Sequence, residues 1–120
     1  MSERIQYDSG FIEIMETGIN ISGTIRLSDF SDFRDMSRIL AEHSSKDVVI
    51  DISNLEFITS AGGMAISIYF LDLQSHGYDG ARLVINPSRD QQCRIANNIV
   101  RAWNGVKVVD PDYKPWNPQP

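Results

Sequence analysis

The chain has 120 residues, of which 42% are hydrophobic and 22% charged; the expectation is one globular domain with no second domain hidden in it, and disorder is not the default for this composition. A formal charge of −5 and a pI near 4.8 argue against nucleic acid as partner, because phosphate binding draws on clustered Lys and Arg and the basic residues here are scattered. Met1-Ser2-Glu3-Arg4 leads into no long apolar run, no stretch approaches the ~20 apolar residues of a membrane span, and the single cysteine, Cys93, cannot form an internal disulfide; the expectation is a cytoplasmic protein with no membrane partner.

Phe11 to Glu16 and Ile19 to Leu27 alternate apolar with polar residues, the period of half-exposed strands. Thr17-Gly18 between them predicts a tight hairpin turn in which glycine takes a positive φ. Residues 4 to 7 suggest a short edge piece. Ser28-Asp29 then caps a predicted helix over 30–43, with Phe30, Phe33, Ser37 and Leu40 along one stripe and Met36 and Ile39 beside it.

Val48-Val49-Ile50-Asp51-Ile52 is β-branched and bounded by polar residues, which predicts a buried strand. A helix follows, closed by Gly77. Ile66, Tyr69, Phe70 and Leu73 fall at i, i+3, i+4 and i+7, and Met64, Ile68 and Leu71 widen the stripe until little of the helix is polar. Between strand and helix stands Phe57-Ile58-Thr59-Ser60-Ala61-Gly62-Gly63. Its adjacent hydroxyls lie where the first helical N–H groups have no carbonyl partners, so either side chain can serve as an N-cap.

Ala81 to Ile85 is the next strand, stopped by Asn86-Pro87-Ser88, which opens a third helix striped by Gln92, Ile95, Ala96, Ile99, Val100 and Trp103. Val106 to Val109 is a last strand. The order hairpin, α, β, α, β, α, β predicts a mixed sheet whose later strands run parallel through crossover helices. Residues 1–110 form the single predicted domain. Residues 111–120, with Pro111, Pro115, Pro118 and Pro120, form an extended arm whose Tyr113 and Trp116 are expected to lie as a flap over the sheet.

The run of hydrophobic strand, Asp51, Asn54-Leu55-Glu56-Phe57-Ile58, then a small hydroxyl and glycine turn into an apolar helix resembles the signature of STAS domains. These are the anti-sigma factor antagonists, or anti-anti-sigma factors, of bacterial partner-switching systems. The resemblance implies an α/β STAS (SpoIIAA-like) fold, a mixed β-sheet with helices mainly on one face. In that family the turn often reads D-S-S-G-L-G, and its first Ser is phosphorylated by a partner kinase. Laid on this sequence, that Ser falls on Ser60, with Thr59 as second candidate acceptor. The family Asp falls on Thr59, the second Ser on Ala61, and the Leu-Gly pair on Gly63-Met64, so Ser60 and Gly62 alone are unchanged. A Gly-Glu-Leu-Asp segment common in the family reads Gly23-Thr24-Ile25-Arg26 here, which replaces an acidic residue near the turn by Arg26.

The implied function is a non-enzymatic regulator that binds an anti-sigma factor or serine kinase through Ile58, Thr59, Ser60, Ala61, Gly62, Gly63 and Met64, with a phosphatase to reverse the modification. A constitutive STAS scaffold without phospho-control is one alternative, since the Thr59 replacement removes the family's carboxylate. A module for a small anionic ligand such as a nucleotide is another, because Gly62-Gly63 opens a helix after a strand. Catalytic signatures are missing. No G-x-S-x-G elbow surrounds Ser60, and neither H-E-x-x-H nor a paired-cysteine pattern occurs. No cofactor and no metal is expected, and His43 and His76 are read as complements of helix C-terminal dipoles. Cys93 is read as a packing residue.

Overall fold

The computed structural model describes residues 3–7, 9–15, 18–26, 34, 38 and 48–117. Its strands are β1 (Glu3–Tyr7), β2 (Gly10–Met15), β3 (Gly18–Ile25), β4 (Val49–Asp51), β5 (Leu55–Ile58), β6 (Ala81–Val84) and β7 (Val106–Val109), and its long helices are α1 (Ser60–Ser75) and α2 (Asp90–Ala102). The predicted helix over 30–43, its Ser28-Asp29 cap and His43 lie outside the described residues, except that Arg34 and Arg38 are helical and exposed.

The sheet is mixed, in the order β1-β2-β3-β4-β6-β7. β1, β2 and β3 pair antiparallel, and β3, β4, β6 and β7 pair parallel. Register brings Ile14, Ile19, Ile50, Leu83 and Val108 into one row across the sheet, each 6% exposed or less. They share one core cluster with Ile66, Phe70 and Leu73 of α1 and Ile95 and Ile99 of α2, so both helices cover the same face. The strands supply this row because their apolar residues recur with the two-residue period of a pleated sheet. On the opposite face the neighbouring row reads Glu13, Asn20, Asp51, Val84 and Val109, polar at one end and apolar at the other.

Two details of the predicted hairpin change. Met15 pairs with Gly18, so the loop is 16–17, outside the described residues, and Gly18 is the first residue of β3. Positive φ among the described glycines belongs to Gly23 and Gly77. Gly18 is required for a different reason, since a Cβ there would run into the Val49 carbonyl of the adjoining parallel strand.

β5 is an addition to the expected elements, and it takes in Phe57 and Ile58 of the segment expected to connect strand and helix. The eight-residue β3 pairs along one edge with β4 through Gly18, Ile19 and Asn20, and then with β5 through Gly23, Thr24 and Ile25. Between β4 and β5 the chain jogs at Ser53 and Asn54. Asp51 Oδ1 accepts from the Ser53 N–H (2.8 Å) and hydroxyl (2.6 Å), and the Gly23 N–H donates to Asn54 O (3.0 Å). The register shift falls at Gly23/Thr24, and Gly23 has φ +76°, which a side chain would resist.

Helix ends follow the expected chemistry at one terminus and depart from it at another. Gly77, φ +84°, closes α1 with the Tyr78 N–H on Leu73 O and the Gly77 N–H on Gln74 O, each 3.1 Å, a Schellman arrangement. α2 begins at Asp90 rather than at Asn86-Pro87-Ser88, because Asn86 Oδ1 accepts from both the Ser88 N–H and its hydroxyl and makes that segment a turn.

The arm turns back along β7. Val109 pairs antiparallel with Pro115, and the Trp116 N–H donates to Val108 O (2.9 Å). Trp116 packs against the core, while Tyr113 is 57% exposed and its ring meets sheet residue Arg82, whose guanidinium lies 6.0 Å from the ring centre, so Trp116 is the buried part of the flap.

Candidate functional site

The hydroxyl turn sits at the carboxyl end of β5, where α1 begins. Its position is set from two sides. On one, the Thr59 N–H donates to Ile25 O (3.2 Å), continuing the β3–β5 pairing and holding the turn beside the residue that precedes Arg26. On the other, α2 takes the place of a neighbouring strand: Gln91 Oε1 accepts from the Ile58 N–H (3.1 Å) and Gln91 Nε2 donates to Ile58 O (2.6 Å). One side-chain amide thus satisfies both outward backbone groups of the last β5 residue. Gln92, 1% exposed, does the same for the jog, donating to Ser53 O and Leu55 O and accepting from the Asn86 N–H.

The two hydroxyls are sorted by this geometry. Thr59 is the N-cap, in extended backbone conformation, and its Oγ1 accepts from the Gly62 N–H (3.4 Å) while its carbonyl accepts from the Gly63 N–H (3.0 Å). Ser60 is the first helical residue and is exposed. No acidic residue occupies the first turn of α1, so the positive end of the helix dipole there has no carboxylate of its own helix beside it.

The remaining turn residues divide between surface and interior. Met64 is 58% exposed, and Ala61 and Gly63 are partly exposed. Ile58 is corrected from a surface contact to a core residue, 1% exposed, because its side chain points under the sheet while Phe57, 45% exposed, takes the outer position. Gly62 is buried, and Gly63 lies against Ile95 of α2, so the pair closes a helix junction and forms no open glycine loop. The glutamine contacts were not foreseen. Gln92 was visible as a polar residue within an apolar helical stripe, but nothing in the sequence pairs Gln91 with Ile58, which lies 33 positions away.

Replacing Gln91 by Ala is expected to destabilise the domain by about 1–2 kcal/mol. It should also speed amide exchange at Ile58 in hydrogen-exchange mass spectrometry, since that N–H loses its acceptor.

Elsewhere the described residues hold no cluster of His, Cys, Asp and Glu suited to a metal, and no helix among them is long and apolar enough to cross a membrane. His76 caps α1 as expected, its Nδ1–H donating to Asp72 O at 2.7 Å. Cys93 packs against the core with its thiol donating to Pro87 O, and burial, with Asp90 adding to it, pushes the thiol pKa up. Its thiolate fraction near neutral pH falls accordingly. Alkylation of Cys93 by iodoacetamide at pH 8 is expected to run slower than that of glutathione.

No protein-family model matches the chain, and no curated protein matches it. Among solved structures, it is similar to an uncharacterized protein of the DUF3478 family, with a SpoIIAA-like fold, from Shewanella loihica. The two are 14% identical over 90% of this chain and 83% of the other, with a TM-score of 0.42.

Proposed function

We propose that this chain is a non-enzymatic partner-switching module of the STAS kind, whose binding to a serine kinase or anti-sigma factor is set by phosphate on Ser60. The observation that carries the reading is the division of labour at the turn. Thr59 provides the cap, which leaves the exposed Ser60 hydroxyl at the mouth of α1 without a structural duty among the described residues. A phosphoryl group there adds about −1.5 to −2 charges at the favourable end of a helix dipole. The host domain tolerates it. A partner seated on Ser60, Ala61 and Met64, with Phe57 beside them, would have to desolvate the dianion and would be released.

Thr59 is the weaker acceptor candidate, since its oxygen is engaged in the cap. The second reading, a constitutive scaffold, draws on the same residue: the family's Asp is replaced by Thr59, whose use here is structural.

The test is phosphosite mapping by mass spectrometry on the protein isolated from its own cells, with and without phosphatase treatment. Phosphate at 60, lost on phosphatase treatment, is the expected result. Phosphate only at other positions, or none under any growth condition, removes the switch and leaves the scaffold.

A further inference from the structure

We propose that the C-terminal arm exchanges between two copies of this chain, each copy's Trp116 seating against the other's β7. β7 ends the path of paired strands in the described sheet, and an uncovered edge invites pairing with another chain. The arm supplies the cover. Pro115 pairs with Val109, the Trp116 N–H donates to Val108 O, and the indole packs against the core, where Trp116 and Pro115 form one wall of an open apolar groove of about 580 Å³ whose other walls include Val100, Val106 and Val108. None of these contacts specifies which copy the arm comes from. An arm from a second, identical chain makes them all.

The closed and exchanged forms therefore differ only in the link 110–114 and in the contact of its Tyr113 ring with the Arg82 guanidinium of β6, 6.0 Å away. Closed, that link is a tight turn: Asp110 Oδ1 accepts from the Asp112 and Lys114 N–H groups, the Asp110 N–H donates to Lys114 O, and the Tyr113 N–H donates to Asp110 O, each at 2.8–2.9 Å. The side-chain bonds are exposed and compete with water. Against them stands Tyr113 at φ 61°, a left-handed conformation unfavourable for a side chain without a local polar partner. Extending the link returns Tyr113 to ordinary backbone, and Pro111 already favours an extended chain. A short strained hinge holding a detachable segment is the arrangement from which arm exchange arises.

The experiment uses the full chain, with light scattering on a sizing column over a range of concentrations after warming and slow cooling. A concentration-dependent dimer is expected. Tyr113→Gly, which removes the penalty of the closed turn, should lower the association constant by about fivefold or more, and Asp110→Ala, which removes two turn bonds, should raise it. To identify the arm as the exchanged part, Lys107→Cys and Asn117→Cys, opposite one another if the Val109–Pro115 register continues, are placed on separate chains in a Cys93→Ser background. A disulfide between chains in the oxidised mixture supports exchange. The double variant on one chain, closing an internal disulfide, verifies the register. A chain that stays monomeric up to millimolar concentration, a dimer indifferent to Tyr113→Gly, or a verified register with no link between chains would overturn the proposal.

Discussion

On the proposed partner-switching function, a Ser60→Asp chain is expected to bind a kinase or anti-sigma partner about a hundredfold or more weaker while keeping its fold. The loss follows from the cost of enclosing an uncompensated charge in an interface, about 3–5 kcal/mol when one member of an ion pair has no mate. The retained fold follows from position. Ser60 is exposed, is the first residue of α1, and has no acidic neighbour in the first turn, so a carboxylate there gains about 0.3–1 kcal/mol from the dipole. The melting temperature should therefore equal or slightly exceed that of the parent. Ser60→Ala should bind as the unmodified chain does. Calorimetry with the partner recovered on the dephosphorylated protein measures all three, and equal affinities for the Ala and Asp variants would leave the constitutive scaffold as the reading.

Gln92→Ala is expected to carry the largest stability cost, about 3–5 kcal/mol. The side chain is 1% exposed and satisfies three backbone groups from two segments: Ser53 O and Leu55 O of the jog, and the Asn86 N–H after β6. Truncation strips partners from all three at once, and an unsatisfied buried group costs about 1–3 kcal/mol. The change should lower the midpoint of urea unfolding with little change in slope. Gln92→Leu should not rescue it, because the deficit is one of hydrogen bonding and not of volume. A loss under ~1 kcal/mol would mean that water reaches the β4–β5 jog and that the amide does not hold it.

The link between these two predictions is α2. Gln91 and Gln92 are adjacent, yet one ties down the residue before the hydroxyl turn and the other the jog where β4 becomes β5. The candidate site is therefore held by a helix that starts about 30 positions further along the chain. A variant at Gln91 that loosened the turn without touching Ser60 should also weaken partner binding, since a docking surface that must first be ordered binds less tightly.

What the amino-acid order determined by itself is the set of locally encoded features. The two-residue alternation of β2 and β3, the apolar run of β4, the stripes of both helices and the Gly77 stop each depend on neighbours within a few positions, so they are legible without a fold. The location of Thr59 and Ser60 at a helix start was legible for the same reason. Which of the two is the cap was not, because Ser and Thr are both good caps and the choice depends on where β5 delivers the chain. β5 itself was hidden: its burial runs buried, exposed, exposed, buried, without strand alternation, because it pairs with β3 on one edge and is sealed by glutamine amides on the other. Gly18 and Ile58 were assigned to a turn and to a surface by their local company, and the tertiary structure decided otherwise. One faces a backbone carbonyl from β4, the other the core, and both neighbours come from segments that meet only when the sheet has formed.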